Sequence, residues 1–279
     1  MNNDLKGDRM ARTITITSGK GGVGKTNMAV SLAVALAKIG KKVMIFDADL
    51  GLGNIDVLLD LAAPYDIHHV LNGEKGLMDV IIEGPYGIRI LPASSGVQEM
   101  TDLDEFQRMR LIEEFEACNI DLDFLLIDTG AGISANVAFF CMASQEIIVV
   151  TSPEPTSMTD ACALIKALFT RYQEKDFKVL VNLAKGRYDA IEVFRRLSLA
   201  TEKFPNISLD YLGYIPLDGS IQKAVMARKA FIDADPGSRA AKHISAIASR
   251  LVRERPSRVK GTLQLSWGNL VRGKWNVPV

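Results

Sequence analysis

The chain has 279 residues, of which 48% are hydrophobic, and this is enough to bury a large core. Lysine plus arginine and aspartate plus glutamate both number 33, so the formal net charge is zero and indicates no global attraction to nucleic acid. Three widely spaced cysteines and three histidines argue against a disulfide framework or a zinc site, and favour a reducing cytoplasm. We find no signal-peptide pattern and no apolar run of about 18 residues, so we expect no membrane-spanning segment.

Apolar, β-branched runs alternate with helical periodicities along the chain. Strands are predicted at residues 12–17, 42–47, 88–92, 124–128, 146–151, 177–183 and 209–215. Helices are predicted at residues 25–39, 103–118, 156–172, 190–203 and 236–253. This alternation predicts an α/β fold, in which helices cover both faces of a mostly parallel sheet in a three-layer α/β/α sandwich. Functional residues are then expected at the carboxyl ends of the strands.

The segment GKGGVGKT at residues 19–26 is the strongest functional signal. It fits the pattern G-x-x-x-x-G-K-[ST] and lies between a predicted strand and a predicted helix, as a phosphate-binding P-loop must. Its glycines let backbone N–H groups turn toward phosphate oxygens, and the helix dipole adds to the attraction. Lys25 is expected to neutralise the β- and γ-phosphates of ATP, and the Thr26 hydroxyl to ligate Mg²⁺. The predicted nucleotide-binding residues here are Gly19, Lys20, Gly21, Gly22, Val23, Gly24, Lys25, Thr26 and Asn27.

Lys20 is additional to the general P-loop pattern. A second lysine in the loop is repelled by the first unless a phosphate is close. It is therefore either a solvated charge or a contact to phosphate, in its own subunit or across a dimer.

Two predicted strands end in acidic residues. Asp47 and Asp49 close the second strand, where an unpaired buried carboxylate would be costly. Asp49 is predicted to face the γ-phosphate and the metal, whereas Asp47 is an outer contact of the magnesium site or a structural cap. Asp128 follows four apolar residues as in a Walker B strand, and is predicted to hold Mg²⁺ together with Thr26.

The pattern KGGVGKT at residues 20–26 is the deviant Walker signature, and the chain resembles the MinD/ParA family of P-loop ATPases. The resemblance implies that Lys20 contacts the nucleotide of a partner subunit and that Asp49 positions the attacking water. We therefore take Lys20, Lys25 and Asp49 as the catalytic set. Asn54 resembles the asparagine of switch I, and the switch II glycines correspond to Gly130 and Gly132.

The same resemblance implies contacts beyond the phosphates. Asn182 and Pro216 end two strands at positions that flank adenine in the family, although an asparagine at a strand end is also an ordinary turn residue. Glu154 corresponds to a glutamate that reaches the partner's ribose, and the alternative is a solvated loop acid. No arginine finger is evident at a motif position, so hydrolysis should be slow alone and open to stimulation by a partner.

Several stretches are most similar to the flagellar-number regulators of the FlhG/FleN/YlxH type, among them DADLGLGNIDVLL, LPASSGVQEM and TSPEPTSMTDA. This resemblance implies a cytoplasmic ATP-dependent homodimer that controls flagellar number and placement. It also implies, as partners, the flagellar GTPase of the signal-recognition-particle type, switch or C-ring proteins, and a flagellar transcription activator. Residues 1–11 lack the DQAxxLR-like segment of members that stimulate the GTPase, which places that activity in doubt.

The chain is predicted to divide into an extension at residues 1–11, an ATPase domain at residues 12–253 and a basic tail at residues 254–279. Four apolar tail residues share one helical face: Leu263, Trp267, Leu270 and Val271. A basic amphipathic helix of this kind predicts attachment to an anionic membrane surface at the inner face of the cell membrane. The alternatives are a solvated tail or one packed on its own domain.

Three rival functions stay open. A cell-division ATPase of the MinD type shares the loop and the Walker B motif. A ParA-type partitioning ATPase would need a basic surface for DNA, which the neutral charge disfavours. An iron–sulfur carrier would need cysteines placed to bridge a cluster. The switch II segment has none, and Cys141 lies 13 residues past Asp128.

Overall fold

The computed structural model describes residues 11–93, 102–118, 120–204 and 206–254. The strands are β1 (Arg12–Ser18), β2 (Val43–Ala48), β3 (Ile82–Glu83), β4 (Arg89–Leu91), β5 (Phe124–Ala131), β6 (Glu146–Thr151), β7 (Asp176–Ala184) and β8 (Ser208–Pro216). The helices are α1 (Lys25–Lys38), α2 (Ile55–Leu58), α3 (Ile67–Leu71), α4 (Leu77–Val80), α5 (Glu105–Ala117), α6 (Ala135–Ala143), α7 (Pro155–Tyr172), α8 (Arg187–Thr201), α9 (Gly219–Met226), α10 (Phe231–Ala234) and α11 (Arg239–Arg253).

The eight described strands form one sheet in the order β3-β4-β2-β5-β1-β6-β7-β8. Every pairing is parallel except that between β3 and β4. Strand β1, which leads into the glycine-rich loop, lies between β5 and β6. Asp47 on β2 is in register with Asp128 on β5, so the two predicted acidic strand ends meet at one edge of the sheet.

Hydrophobic side chains cover both faces of the sheet. Successive residues of a strand point to opposite faces, and on β5 Leu126 packs with α1 and α11 while Leu125 and Ile127 pack with α5 and α6. Helices α7 and α8 cover the same face as α6, over β6 and β7. The predicted three-layer α/β/α sandwich with a mostly parallel sheet is confirmed.

The predicted elements all occur, with ends that differ by up to three residues. The prediction missed strand β3, which has only two residues, and helix α6, which is apolar on all sides. It also missed α9 and the short helices α2, α4 and α10. The DIHHVL segment forms α3, where burial lowers the pKa of His68.

None of the helices in the described part of the chain is long and apolar enough to cross a membrane. Helix α11 ends at Arg253. The predicted membrane residues Leu263, Trp267, Leu270 and Val271 lie outside the described residues, as does most of the extension at residues 1–11.

Candidate nucleotide site

The glycine-rich loop turns sharply into the first long helix. Gly22 and Gly24 have left-handed backbones, with φ of 78° and 84°, which glycine adopts without steric cost. Gly24 is the N-cap of α1 and brings no capping side chain, and the first turn of α1 contains no acidic residue. The first N–H groups of this helix are therefore directed at the loop with no negative charge to compete, an arrangement that binds phosphate.

Asn182, near the end of β7, is hydrogen-bonded to the phosphate loop. Its side-chain amide donates to the carbonyl of Val23 at 2.7 Å, and its side-chain oxygen accepts from the N–H of Leu183 at 2.8 Å. A Cβ on Gly24 would lie 2.6 Å from the Asn182 amide nitrogen. Asn182 is thus a buried brace for the phosphate loop, and its predicted contact with adenine stays a prediction.

Gly19 has a packing role that the motif does not reveal. A Cβ at this position would lie 2.2 Å from the backbone carbonyl of Asp160 in α7, closer than real atoms approach. The loop therefore begins in direct contact with the backbone of α7. Nucleotide contact by Gly19 remains a prediction.

Asp128 provides a buried carboxylate beside the loop. Both of its oxygens are buried and lack a hydrogen-bond partner among the described residues, and the Lys25 ammonium lies 3.8 Å from Oδ1. Burial raises the pKa of Asp128 to about 6 against the opposing effects of Lys25 and Thr26, and the nearby Asp49 carboxylate raises it further. A buried carboxylate beside a threonine hydroxyl suits an oxygen-preferring cation such as Mg²⁺.

The described residues contain no group of three or more His, Cys, Asp or Glu side chains that could hold a metal ion. Mg²⁺ commonly takes only one or two protein carboxylates and keeps several waters. Thr26 and Asp128 would hold it here, and Asp49 is close enough to influence the charge of Asp128.

Asp47 is a structural cap, one of the two roles that the sequence left open. Its carboxylate accepts backbone N–H groups from Asn54 at 2.8 Å, Ile55 at 3.1 Å and Asp49 at 3.2 Å. Burial raises the pKa of Asp47 to about 7, the Asp128 carboxylate raises it too, and these hydrogen bonds oppose the rise. Asp47 thereby fixes the whole segment from Asp49 to the start of α2.

A cavity of about 800 Å³ opens over the loop. Four stretches line it: the loop and start of α1, the segment after β2, the segment after β5, and the end of α9. Among the predicted residues it brings together Gly21, Gly22, Val23, Gly24, Lys25, Thr26, Asn27, Asp49, Asn54 and Gly130. Asp49 and Gly130 are neighbours, because a Cβ on Gly130 would lie 3.4 Å from the Asp49 carboxylate. Gly132 follows with a φ of 91°.

Lys20 and Glu154 are outside the lining of this cavity and bind each other. The Lys20 ammonium donates to Glu154 Oε2 at 2.7 Å and to the Thr156 hydroxyl at 2.9 Å, and both charged side chains are substantially exposed. Pro216 is buried at the end of β8, beside Ala184. The roles predicted for Lys20, Glu154 and Pro216 in nucleotide contact stay predictions.

Eight residues of the cavity lining were not among the predicted site residues: Ser18, Leu52, Val57, Leu58, Ala131, Ser134, Val225 and Arg228. Among them, Val225 and Arg228 come from the end of α9. No motif marks them, and only the packing of α9 brings them to the site.

Comparison with known proteins agrees with this geometry. The family model described as ParA, NUBPL iron-transfer P-loop NTPase, matches residues 9–252. The Pseudomonas aeruginosa protein named Antiactivator FleN is 44% identical over 240 residues, which cover 86% of each chain. The Flagellum site-determining protein YlxH of Helicobacter pylori is 34% identical over 249 residues, or 89% of this chain and 84% of the relative.

A solved structure shares the fold and contains a nucleotide. The septum site-determining protein MinD from Pyrococcus horikoshii, complexed with Mg-ADP, superimposes with a TM-score of 0.71 at 26% identity. The match covers 87% of this chain and 96% of that one. With the phosphate loop, the Walker B aspartate and the sheet order in place, these similarities establish that the chain belongs to the MinD/ParA family of P-loop ATPases.

Proposed function

We propose that this protein is an ATP-dependent dimerising switch that controls flagellar number and placement and hydrolyses ATP slowly with Mg²⁺. The position of Lys20 is the observation that carries the dimerisation. Its ammonium group lies outside the cavity of its own subunit and is held at the surface by Glu154 and Thr156. A lysine in this position can contact the phosphates of ATP bound to a second subunit more easily than those of ATP bound to its own subunit.

The described side chains divide the work of hydrolysis within one subunit. Lys25 neutralises phosphate charge. Thr26 and Asp128 would hold Mg²⁺, which would stabilise the negative charge of the phosphates. Asp49 lies at the cavity wall and orients the attacking water. No arginine stands at a motif position to stabilise the transition state, so the reaction is slow without a partner.

Apolar side chains around the cavity mouth support the proposal that a second copy of the chain binds at this face. Leu52, Val57 and Val225 line the cavity and are 74%, 52% and 37% exposed. Exposed apolar groups gathered at one place are typical of protein interaction sites. A second subunit bound across ATP would cover them and bring its own Lys20 to the phosphates.

The flagellar role rests on the similarity to FleN and YlxH. We propose as partners the flagellar GTPase of the signal-recognition-particle type, the switch or C-ring proteins, and a flagellar transcription activator. The tail at residues 254–279 would attach the cytoplasmic dimer to an anionic membrane surface, because two tails bind more strongly than one. DNA is not proposed as a partner.

Counting flagella tests this assignment in cells. Deletion of the gene is expected to change the number or position of flagella, and the wild-type gene is expected to restore both. Genes for Lys20→Ala and Asp49→Ala should fail to restore them, whereas one for the exposed Lys203→Ala should succeed. Normal flagella in the deletion strain together with minicells would assign the chain to cell division instead.

A further inference from the structure

Two helices that line the nucleotide cavity, α2 and α9, end in the same unusual backbone conformation. Helix α2 supplies Val57 and Leu58 to the lining, and the end of α9 supplies Val225 and Arg228. The residue after the C-cap of each helix has a left-handed backbone. This residue is Asp60 after α2 and Arg228 after α9, and φ is 53° at both.

The hydrogen bonds identify both helix ends as Schellman motifs. After α2, the N–H of Asp60 donates to Val57 and that of Leu61 donates to Asp56. After α9, the N–H of Arg228 donates to Val225 and that of Lys229 donates to Ala224. The left-handed position of this motif usually belongs to glycine, because a side chain there is strained.

Other helices of the same chain follow that preference. Helices α1 and α3 end with the same pair of bonds around Gly40 and Gly73, whose φ values are 79° and 81°. At the ends of α2 and α9, charged residues stand where α1 and α3 have glycine. Such an exception points to a role for the side chains themselves.

The two exceptional residues bind each other. The Arg228 guanidinium donates to Asp60 Oδ1 at 2.6 Å, although the residues are 168 positions apart in sequence. Their side chains are 61% and 67% exposed. The ion pair therefore joins the end of α2 to the end of α9 at the protein surface, next to the cavity that Arg228 lines. Exposed pairs of this kind are weak enough to open and close readily.

We propose that the Asp60–Arg228 ion pair is a strap across the mouth of the nucleotide cavity and controls how fast nucleotide enters and leaves. It is a positioning pair, since it acts by holding α2 against α9 and not by touching the reacting atoms. The proposal deepens the proposed function, because it requires that this cavity binds ATP.

A strap changes rates without changing affinity. Opening the strap permits both entry and release, so its removal should raise the association and dissociation rates of a fluorescent ATP analogue by the same two- to fivefold. The dissociation constant should not change. Added salt should speed exchange in the wild type toward the rate of the variants, because salt screens exposed ion pairs.

Glycine substitutions separate this role from a purely structural one. Asp60→Gly and Arg228→Gly each remove the ion pair and relieve the left-handed strain, so the full-length variants should unfold at the wild-type temperature or above it while exchanging nucleotide faster. The exchanged pair Asp60→Arg with Arg228→Asp should restore slow exchange.

Two further variants are controls. Gln173→Gly controls for the strain, since Gln173 has a φ of 59° at the end of α7 and is not part of the cavity lining. Asp121→Ala controls for loss of an exposed ion pair, that with Lys42.

Stopped-flow measurement of both rates in the full chain distinguishes the outcomes. Faster exchange in both glycine variants at unchanged affinity, with recovery in the exchanged pair, supports the strap. Unchanged rates overturn it, and so does weaker affinity in Arg228→Gly alone, which would make Arg228 a direct ligand of the nucleotide. No binding of ATP by the wild type would instead overturn the proposed function.

Discussion

At the scale of a single residue, the burial of the Asp128 carboxylate lowers the stability of the fold. Its oxygens have no hydrogen-bond partner among the described residues, and burial raises its pKa from the ordinary 3.8 to about 6. Because the folded-state pKa is the higher one, the ionised carboxylate destabilises the fold above pH 6. That penalty disappears as the pH falls from 6 toward 4.

Asp128→Asn should therefore stabilise the nucleotide-free protein at pH 8 by about 1–2 kcal/mol, and most of this gain should be lost at pH 4. The same change should abolish Mg²⁺-dependent ATP hydrolysis, because the metal loses a charged ligand. Urea unfolding at both pH values measures the first effect, with the exposed Asp121→Asn as the control. A loss of stability at pH 8 would contradict the account of this carboxylate.

Two glycines of the loop allow a matched comparison. Gly22 and Gly24 are both left-handed, but a Cβ on Gly22 would meet nothing within 4 Å, whereas one on Gly24 would strike Asn182. Gly22→Ala should cost only backbone strain, about 1 kcal/mol. Gly24→Ala should cost about 1–3 kcal/mol more and weaken ATP binding.

Thermal unfolding and calorimetric ATP titration measure both effects. In an Asn182→Ala background the additional cost of Gly24→Ala should shrink, because the clashing amide is gone. Equal costs for the two glycine substitutions in the wild-type background would show that Asn182 does not brace the loop.

At the scale of elements, Gly19 joins the phosphate loop to α7. Gly19→Ala must separate the loop from the α7 backbone, because its Cβ would lie 2.2 Å from the Asp160 carbonyl. We expect a loss of at least about 3 kcal/mol, within the range of strongly destabilising core changes. Gly21→Ala is the control, since its Cβ would only reach Ala131 at 4.0 Å. Circular dichroism during thermal unfolding compares them, and similar stabilities would refute the close contact.

Elements with a clear periodicity were predictable from the sequence, and those without one were not. Length and pattern predicted the apolar strands β5 and β6 and the long helix α7. Helix α6 did not, because Phe139, Phe140 and Cys141 are buried on different sides and leave no polar face. Strand β3 is too short to carry a pattern.

The same limit applies to the site. The site residues of the loop and of the acidic strand ends were predictable, because each group lies within a short run of adjacent residues that forms a motif. The brace by Asn182, the packing of Gly19 against α7 and the contribution of Arg228 depend on contacts between distant parts of the chain. A single sequence contains no local signal for such contacts.

For the molecule as a whole, we expect that function depends on two copies of the chain with ATP bound between them. The cavity brings together the phosphate loop, Asp49 and Asn54 in one subunit, while Lys20 stands outside it. The apolar mouth and the outlying lysine have a common explanation if ATP is enclosed between two subunits. Each nucleotide would then be bound by one subunit and completed by Lys20 of the other.

Sedimentation velocity of the purified chain tests this claim most directly. We predict a monomer with Mg·ADP and a dimer with Mg·ATP for the wild type, a persistent dimer with Mg·ATP for Asp49→Ala, and a monomer in both nucleotides for Lys20→Ala. A wild-type monomer in both nucleotides, or a Lys20→Ala variant that dimerises as well as the wild type, would contradict the account.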